Sequence, residues 1–186
     1  MEHVEAALSY IKTHADEWEI DIEDRIALMG RSAGAHLASL YAYRSTTVPV
    51  RTVVNYYEPN NLLGGYYDPP FPDPLNVRAI LRDFLGGTLG KLGELYRQAS
   101  PINYVRPNLP PSLLVYARRD HIVEAKFGRS LYQQLQATGN RAVMVEIPWA
   151  EHAFDAIFNG VSNQLALYYT ERFLAWAVKS SNYQPK

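Results

Sequence analysis

Val4, Ala7, Leu8 and Ile11 stand at offsets of 0, 3, 4 and 7, the spacing that stacks side chains along one face of a helix. An amphipathic helix ending near Trp18 is therefore predicted to open the chain. The polar cluster Asp21, Glu23 and Asp24 predicts a turn, residues 25–29 a short buried strand, and Gly30-Arg31-Ser32-Ala33-Gly34 a glycine-framed turn into a helix carrying residues 36–41. A second β-rich run covers residues 52–57. Residues 58–74 then hold five prolines and the pair Gly64-Gly65, which predicts an irregular loop. Residues 75–85 are expected to be helical, and residues 86–101 irregular or in short helices.

Regular patterning returns after Pro110-Pro111 with a strand over residues 112–117 and the polar group Arg118-Arg119-Asp120-His121. Val123, Phe127, Leu131 and Leu135 repeat at offset four, and Thr138-Gly139-Asn140 supplies a helix stop. A strand over residues 142–147, a loop over residues 148–154 and a closing helix marked by Leu165, Tyr169, Phe173 and Trp176 complete the pattern, before a polar tail at residues 180–186. Strands separated by helices of this length imply crossover connections, hence an α/β chain in three α/β/α layers with a mostly parallel sheet. Residues 1–186 read as a single domain, with residues 58–110 as an insertion or lid-like segment within it.

Composition narrows the class of partner. The 186 residues carry 18 Lys+Arg against 19 Asp+Glu, a net charge of −1, with no long block of either sign. That balance offers no footprint for nucleic acid or an anionic membrane surface, so small molecules or proteins are the expected partners. With no cysteine there is no thiolate nucleophile and no cysteine-ligated zinc. No apolar run reaches the roughly 20 residues of a membrane span, and the first residues lack the basic and apolar regions of a signal peptide, so a cytoplasmic location is expected.

The chemistry concentrates in Gly30-x-Ser32-x-Gly34, a nucleophile-elbow pattern set between a predicted strand and a predicted helix. A serine held at such a turn adopts strained backbone angles, and side chains in place of Gly30 and Gly34 are expected to collide across it. The helix beginning near Ala33 aims free N–H groups at a developing oxyanion, Ala33 N–H first. Serine is a weak nucleophile, so it needs an imidazole to take its proton and an acid to hold that imidazole. Asp120 and His152 follow predicted strands and so emerge at the same sheet edge as Ser32, in the chain order Ser32, Asp120, His152 of an α/β-hydrolase. Asp120 is alternatively a cap for a helix beginning near Ile122. His121 is expected to face away from Asp120, His36 to be packed or hydrogen-bonded one turn along the elbow helix, and His3 and His14 to lie on the surface of the opening helix. Tyr56, Tyr57, Tyr66, Tyr67 and Phe71 form either a wall of an apolar substrate pocket or ordinary packing.

Residues 30–38, Gly-Arg-Ser-Ala-Gly-Ala-His-Leu-Ala, preceded by Ile20-Asp21 and Asp24-Arg25-Ile26-Ala27, closely resemble the elbow region of α/β-hydrolase carboxylesterases of the hormone-sensitive-lipase and feruloyl-esterase-like group. Leu113-Leu114-Val115-Tyr116-Ala117 with Asp120, and Glu151-His152-Ala153-Phe154, resemble that group's acid and histidine loops. The resemblance implies a serine esterase that needs no metal or organic cofactor: Ser32 as nucleophile, His152 as base then acid, Asp120 as orienting acid, Gly30, Ala33 and Gly34 as elbow residues. The family also has strands and a His-Gly-Gly oxyanion loop before the elbow, whereas no His-Gly pair occurs in this sequence. The likeness is therefore to an N-terminally truncated hydrolase. A sheet ending at the elbow strand is expected to have an open edge, so that such a chain associates through it, aggregates or requires its missing segment. Loss of an oxyanion donor costs on the order of 10²–10³ in turnover, so feeble catalysis is expected of such a chain. Two functions follow: hydrolysis of small carboxylic esters, or a non-catalytic hydrolase-like fragment that binds a ligand or partner chain. The same triad also serves peptidases and thioesterases.

Overall fold

The computed structural model describes residues 2–22, 26–44 and 47–179; the predicted turn at Glu23 and Asp24 and the polar tail at residues 180–186 lie outside them. Strands β1 (Ala27–Arg31), β2 (Thr52–Tyr56), β3 (Ser112–Ala117) and β4 (Ala142–Ile147) form one sheet in the order β1-β2-β3-β4, every pair parallel. The register sets Gly30 beside Asn55, Tyr56 beside Val115, and Val115 beside Val145. β2 and β3 are buried at every position, as their near-continuous apolar runs require of strands covered on both faces.

Alternation along these strands divides the core into two layers. Val53, Leu114 and Tyr116 meet helices α2 (Ala33–Arg44) and α6 (Ala125–Ala137), while Val54, Leu113, Val115 and Ile147 meet α7 (Val161–Lys179) through Ala166 and Phe173. The three expected layers are thus present. The opening helix α1 (Glu2–Thr13) adds Leu8 to the first layer. It stops before Trp18 because its apolar periodicity ends at Ile11; residues 14–19 continue as turns closed by Glu19 at φ +53°. β1 is an edge strand. α7 packs over β2 and β3 and leaves Ala27, Met29 and Arg31 exposed on that face.

The segment between β2 and β3 differs most from expectation. Residues 58–74 are not wholly irregular but contain α3 (Leu62–Tyr67), followed by α4 (Val77–Leu85), α5 (Leu89–Gln98) and a 3₁₀ turn, Pro101–Tyr104. The Asn61 side chain accepts the Gly64 N–H at 2.8 Å, and buried Leu62 joins Leu81, Tyr96 and Ala99 in a satellite core. Tertiary burial and a cap thus override the poor helix propensity of Gly64-Gly65. Similarly, α6 begins at Ala125 rather than near Ile122.

Glu58, at the start of this segment, is fully buried, and neither carboxyl oxygen meets a hydrogen-bond partner among the described residues. Loss of solvent pushes its carboxyl up to about 8. The folded state therefore holds a proton that the unfolded chain releases near its ordinary carboxylate range, so stability falls as pH rises between the two values. Unfolding midpoints measured from pH 5 to 9 should drop through this window in the native sequence and stay flatter in Glu58→Gln.

The elbow glycines are unequal. A Cβ on Gly30 would lie 2.3 Å from Gly34 C and 2.4 Å from Ala35 N, backbone atoms that cannot yield, whereas a Cβ on Gly34 would meet nothing within 4 Å. The expected collision at Gly34 is therefore absent, because Gly34 already lies in α2 and faces outward. Gly30→Ala should destabilise by about 3 kcal/mol or more, beyond ordinary overpacking. Gly34→Ala should be neutral or stabilising by about 0.5–1 kcal/mol through helix propensity. Denaturant unfolding of the two variants checks both signs.

Candidate active site

Parallel pairing brings the carboxyl end of every strand to one edge of the sheet, and the polar residues collect there. Ser32 follows β1 directly and takes φ +50°; its N–H donates to Tyr56 O at 2.9 Å and its carbonyl accepts from His36 N–H at 3.1 Å. These bonds fasten a strained turn between β2 and the first turn of α2. Ala33 is the first residue of α2, so its N–H has no carbonyl partner within the helix.

His152, in the loop after β4, lies between the other two residues. Its Nε2 is 3.2 Å from Ser32 Oγ and its Nδ1 is 2.8 Å from Asp120 Oδ2. An ionised carboxylate only accepts, so the proton belongs on Nδ1, which leaves Nε2 as acceptor for the Ser32 hydroxyl. Asp120 Oδ1 accepts the N–H groups of Ile122 and Val123, each at 2.8 Å. Turn cap and imidazole partner are thus two ends of one buried carboxylate. The cap serves the turn before α6, not α6 itself.

The other histidines are elsewhere. His121 Nδ1 pairs with Glu151 at 2.8 Å on the surface, away from Asp120. His36 is buried and holds Ala99 O at 2.6 Å through Nε2; burial lowers its pKa, so it stays a neutral donor. His3 is exposed on α1, and His14 lies just past that helix, half-buried and stacked on Trp18.

Beside Ser32 lies a cavity of about 260 Å³ with a wall of Leu62, Leu75, Val77, Ile80, Leu81 and Phe84 and a floor that includes Ala33 and His36. Its wall is aliphatic apart from Phe84, and the aromatics singled out in the sequence do not line it. Tyr56 packs in the second core layer with its hydroxyl on Thr170, Tyr66 packs on Tyr96, and Tyr67 and Phe71 face solvent. Helical periodicity in α4, rather than aromatic content, was the signal for this wall. A larger hollow of about 640 Å³ lies near the end of α1, lined by residues including Lys12, Asp16 and Pro49, and holds none of this cluster.

Tyr57, Asp155 and Arg31 adjoin the imidazole as well. The Tyr57 ring lies 4.5 Å from that of His152, its hydroxyl donates to Asp155, and Asp155 pairs with Arg31 at 2.7 Å. Among the described residues, no group of three or more His, Asp or Glu is placed to hold a metal ion, and no helix is long and apolar enough to cross a membrane.

Comparison with known proteins places the chain among esterases in sequence and fold. The chain is 28% identical over 192 residues to "Probable carboxylic ester hydrolase LipM" and 30% identical over 173 residues to "Esterase LipC", both of Mycobacterium tuberculosis. These alignments cover 92% and 83% of this chain but 42% and 40% of the relatives, so the chain spans about two fifths of their length. A thermophilic esterase from the planctomycete Thermogutta terrifontis superposes with a TM-score of 0.71 at 20% identity, over 96% of this chain and 64% of that one. Its butyrate-bound form gives 0.70 at 24%, over 97% and 65%. The BD-FAE family pattern matches residues 1–135, a stretch that includes Ser32 and Asp120. The chain belongs to the BD-FAE family and has the α/β-hydrolase fold of its carboxylesterase relatives.

Proposed function

We propose that the protein is a serine hydrolase of small carboxylic esters, and the observation that carries this reading is the unbroken chain of hydrogen-bonding distances from Ser32 Oγ through His152 to Asp120. Ser32 Oγ attacks the ester carbonyl carbon as His152 Nε2 takes its proton. Asp120 holds the tautomer and stabilises the imidazolium, and Ala33 N–H donates to the oxyanion. His152 then protonates the leaving alcohol. Water, activated by the same imidazole, releases the acid from the acyl-enzyme. Each step uses groups of the chain and water alone, so the reaction asks for no cofactor.

The pocket wall supports a substrate class. Its volume of about 260 Å³ falls just below the roughly 300 Å³ at which clefts for drug-sized ligands begin, and its aliphatic lining suits a short acyl or alkyl group. Residues 58–110 supply most of that wall, consistent with a lid-like segment inside one domain. The mycobacterial relatives named as esterases favour an ester over a peptide, although a dipeptidyl-peptidase of Giardia intestinalis also aligns, at 27% identity over 160 residues.

A second reading, a non-catalytic fragment that associates through its sheet edge, is favoured by β1, where Met29 is 49% exposed. Hydrolysis of p-nitrophenyl butyrate decides between them. The protein should turn it over faster than the laurate ester, Ser32→Ala should abolish the reaction, and Asp120→Asn should lower kcat by about 10⁴-fold. Folded protein that releases no nitrophenol above the Ser32→Ala background would leave the binding fragment. Sedimentation should show association that rises with concentration and is weakened by Met29→Lys, since a charge at an edge strand opposes pairing.

A further inference from the structure

A hydrogen bond from His152 to Asp120 fixes one atom of the imidazole and leaves its plane free to swing. The plane is set by a second contact: the Tyr57 ring lies 4.5 Å from the imidazole centroid at an interplanar angle of 58°. Tyr57 is itself held. Its backbone takes φ +42°, its N–H donates to Val115 O at 2.8 Å, and its hydroxyl donates to Asp155. Asp155, three residues after His152, keeps only 7% of its side chain exposed and pairs at 2.7 Å with Arg31, the residue immediately before Ser32. One carboxylate therefore joins three segments: the last residue of β1, the residue after β2 and the histidine loop after β4.

We infer that Asp155, clamped by Arg31, positions Tyr57 against the His152 ring and so fixes the imidazole relative to Ser32. The inference rests on the hydrolase reading for its consequence, though not for its geometry. A phenol that donates to a carboxylate gains electron density in its ring, and an electron-rich ring favours a cation over its face. The same contact that orients the neutral imidazole thus stabilises the imidazolium that forms when Ser32 loses its proton. Burial and the Asp155 carboxylate both push the Tyr57 phenol up, so it remains a donor at neutral pH. The groups facing the imidazole are Asp120 from the loop after β3, Ser32 from the elbow and Tyr57 from the end of β2. Arg31, Asp155 and Tyr57 are positioning residues: none is the nucleophile, base or orienting acid.

Two readouts on the full chain separate this role from bulk stability. The ring protons of His152, identified by their loss in His152→Gln, report ring position through the Tyr57 ring current. In Asp155→Asn and in the milder Tyr57→Phe that signal should shift. The second-order rate of Ser32 phosphonylation by a fluorophosphonate should drop about ten- to a hundredfold, as misplacement of a reacting group does, while the labelled endpoint stays full. Arg31→Lys should keep more of the rate than Arg31→Ala. An unchanged His152 signal in both variants overturns the inference, as does a loss confined to the endpoint, which marks unfolding. A shifted His152 signal in a protein whose Ser32 never labels supports the positioning role and sinks the hydrolase reading instead.

Discussion

A neutral imidazole that bridges a hydroxyl and a carboxylate tolerates little displacement, and the described structure satisfies that constraint with residues 120 and 32 positions apart in sequence. Parallel strand pairing is what makes this possible. Four strands of one polarity send their following loops to the same edge, so Ser32, Tyr57, Asp120 and His152 arrive together although no local interaction links them. β2 and β3 lie fully buried between α2 and α6 on one side and α7 on the other, so two of these loops spring from the packed centre of the sheet.

Strain collects where the sheet meets its loops. Ser32, Tyr57 and Ala153 all take positive φ without being glycine, and all three flank the imidazole. Each such conformation costs of order 1–3 kcal/mol and persists only where surrounding bonds over-determine it. Here the restraints are visible: Ser32 N–H on Tyr56 O, Tyr57 N–H on Val115 O, and the Arg31–Asp155 pair that reaches across to the histidine loop. α2 packs against one face of β1, whereas Ala27, Met29 and Arg31 stay exposed on the other.

Much of this was legible in the sequence, for physical reasons that differ by element. β3 and β4 coincide with their predicted limits because Pro110-Pro111 and Gly139-Asn140 bound apolar runs too short for helices. Ser32, Asp120 and His152 could be placed at one edge because each follows a strand, which polarity alone decides. α3 was hidden because its helicity comes from the Asn61 cap and the burial of Leu62, not from propensity. Sequence left the aromatics open between pocket wall and ordinary packing, because tyrosines advertise apolar area without saying where they point; Ile80, Leu81 and Phe84 do the lining. Glycine spacing likewise could not tell the crowded Gly30 from the unobstructed Gly34. An ion pair between residues 124 apart, Arg31 and Asp155, leaves no trace in a single sequence.

Peptide mapping of the folded protein after exposure to a fluorophosphonate shows whether His152 makes the Ser32 hydroxyl nucleophilic. One adduct per chain is expected, on the peptide containing Ser32, and is lost when His152 is replaced by alanine. An adduct on another residue, or labelling of Ser32 that persists undiminished without the imidazole, would rule that role out.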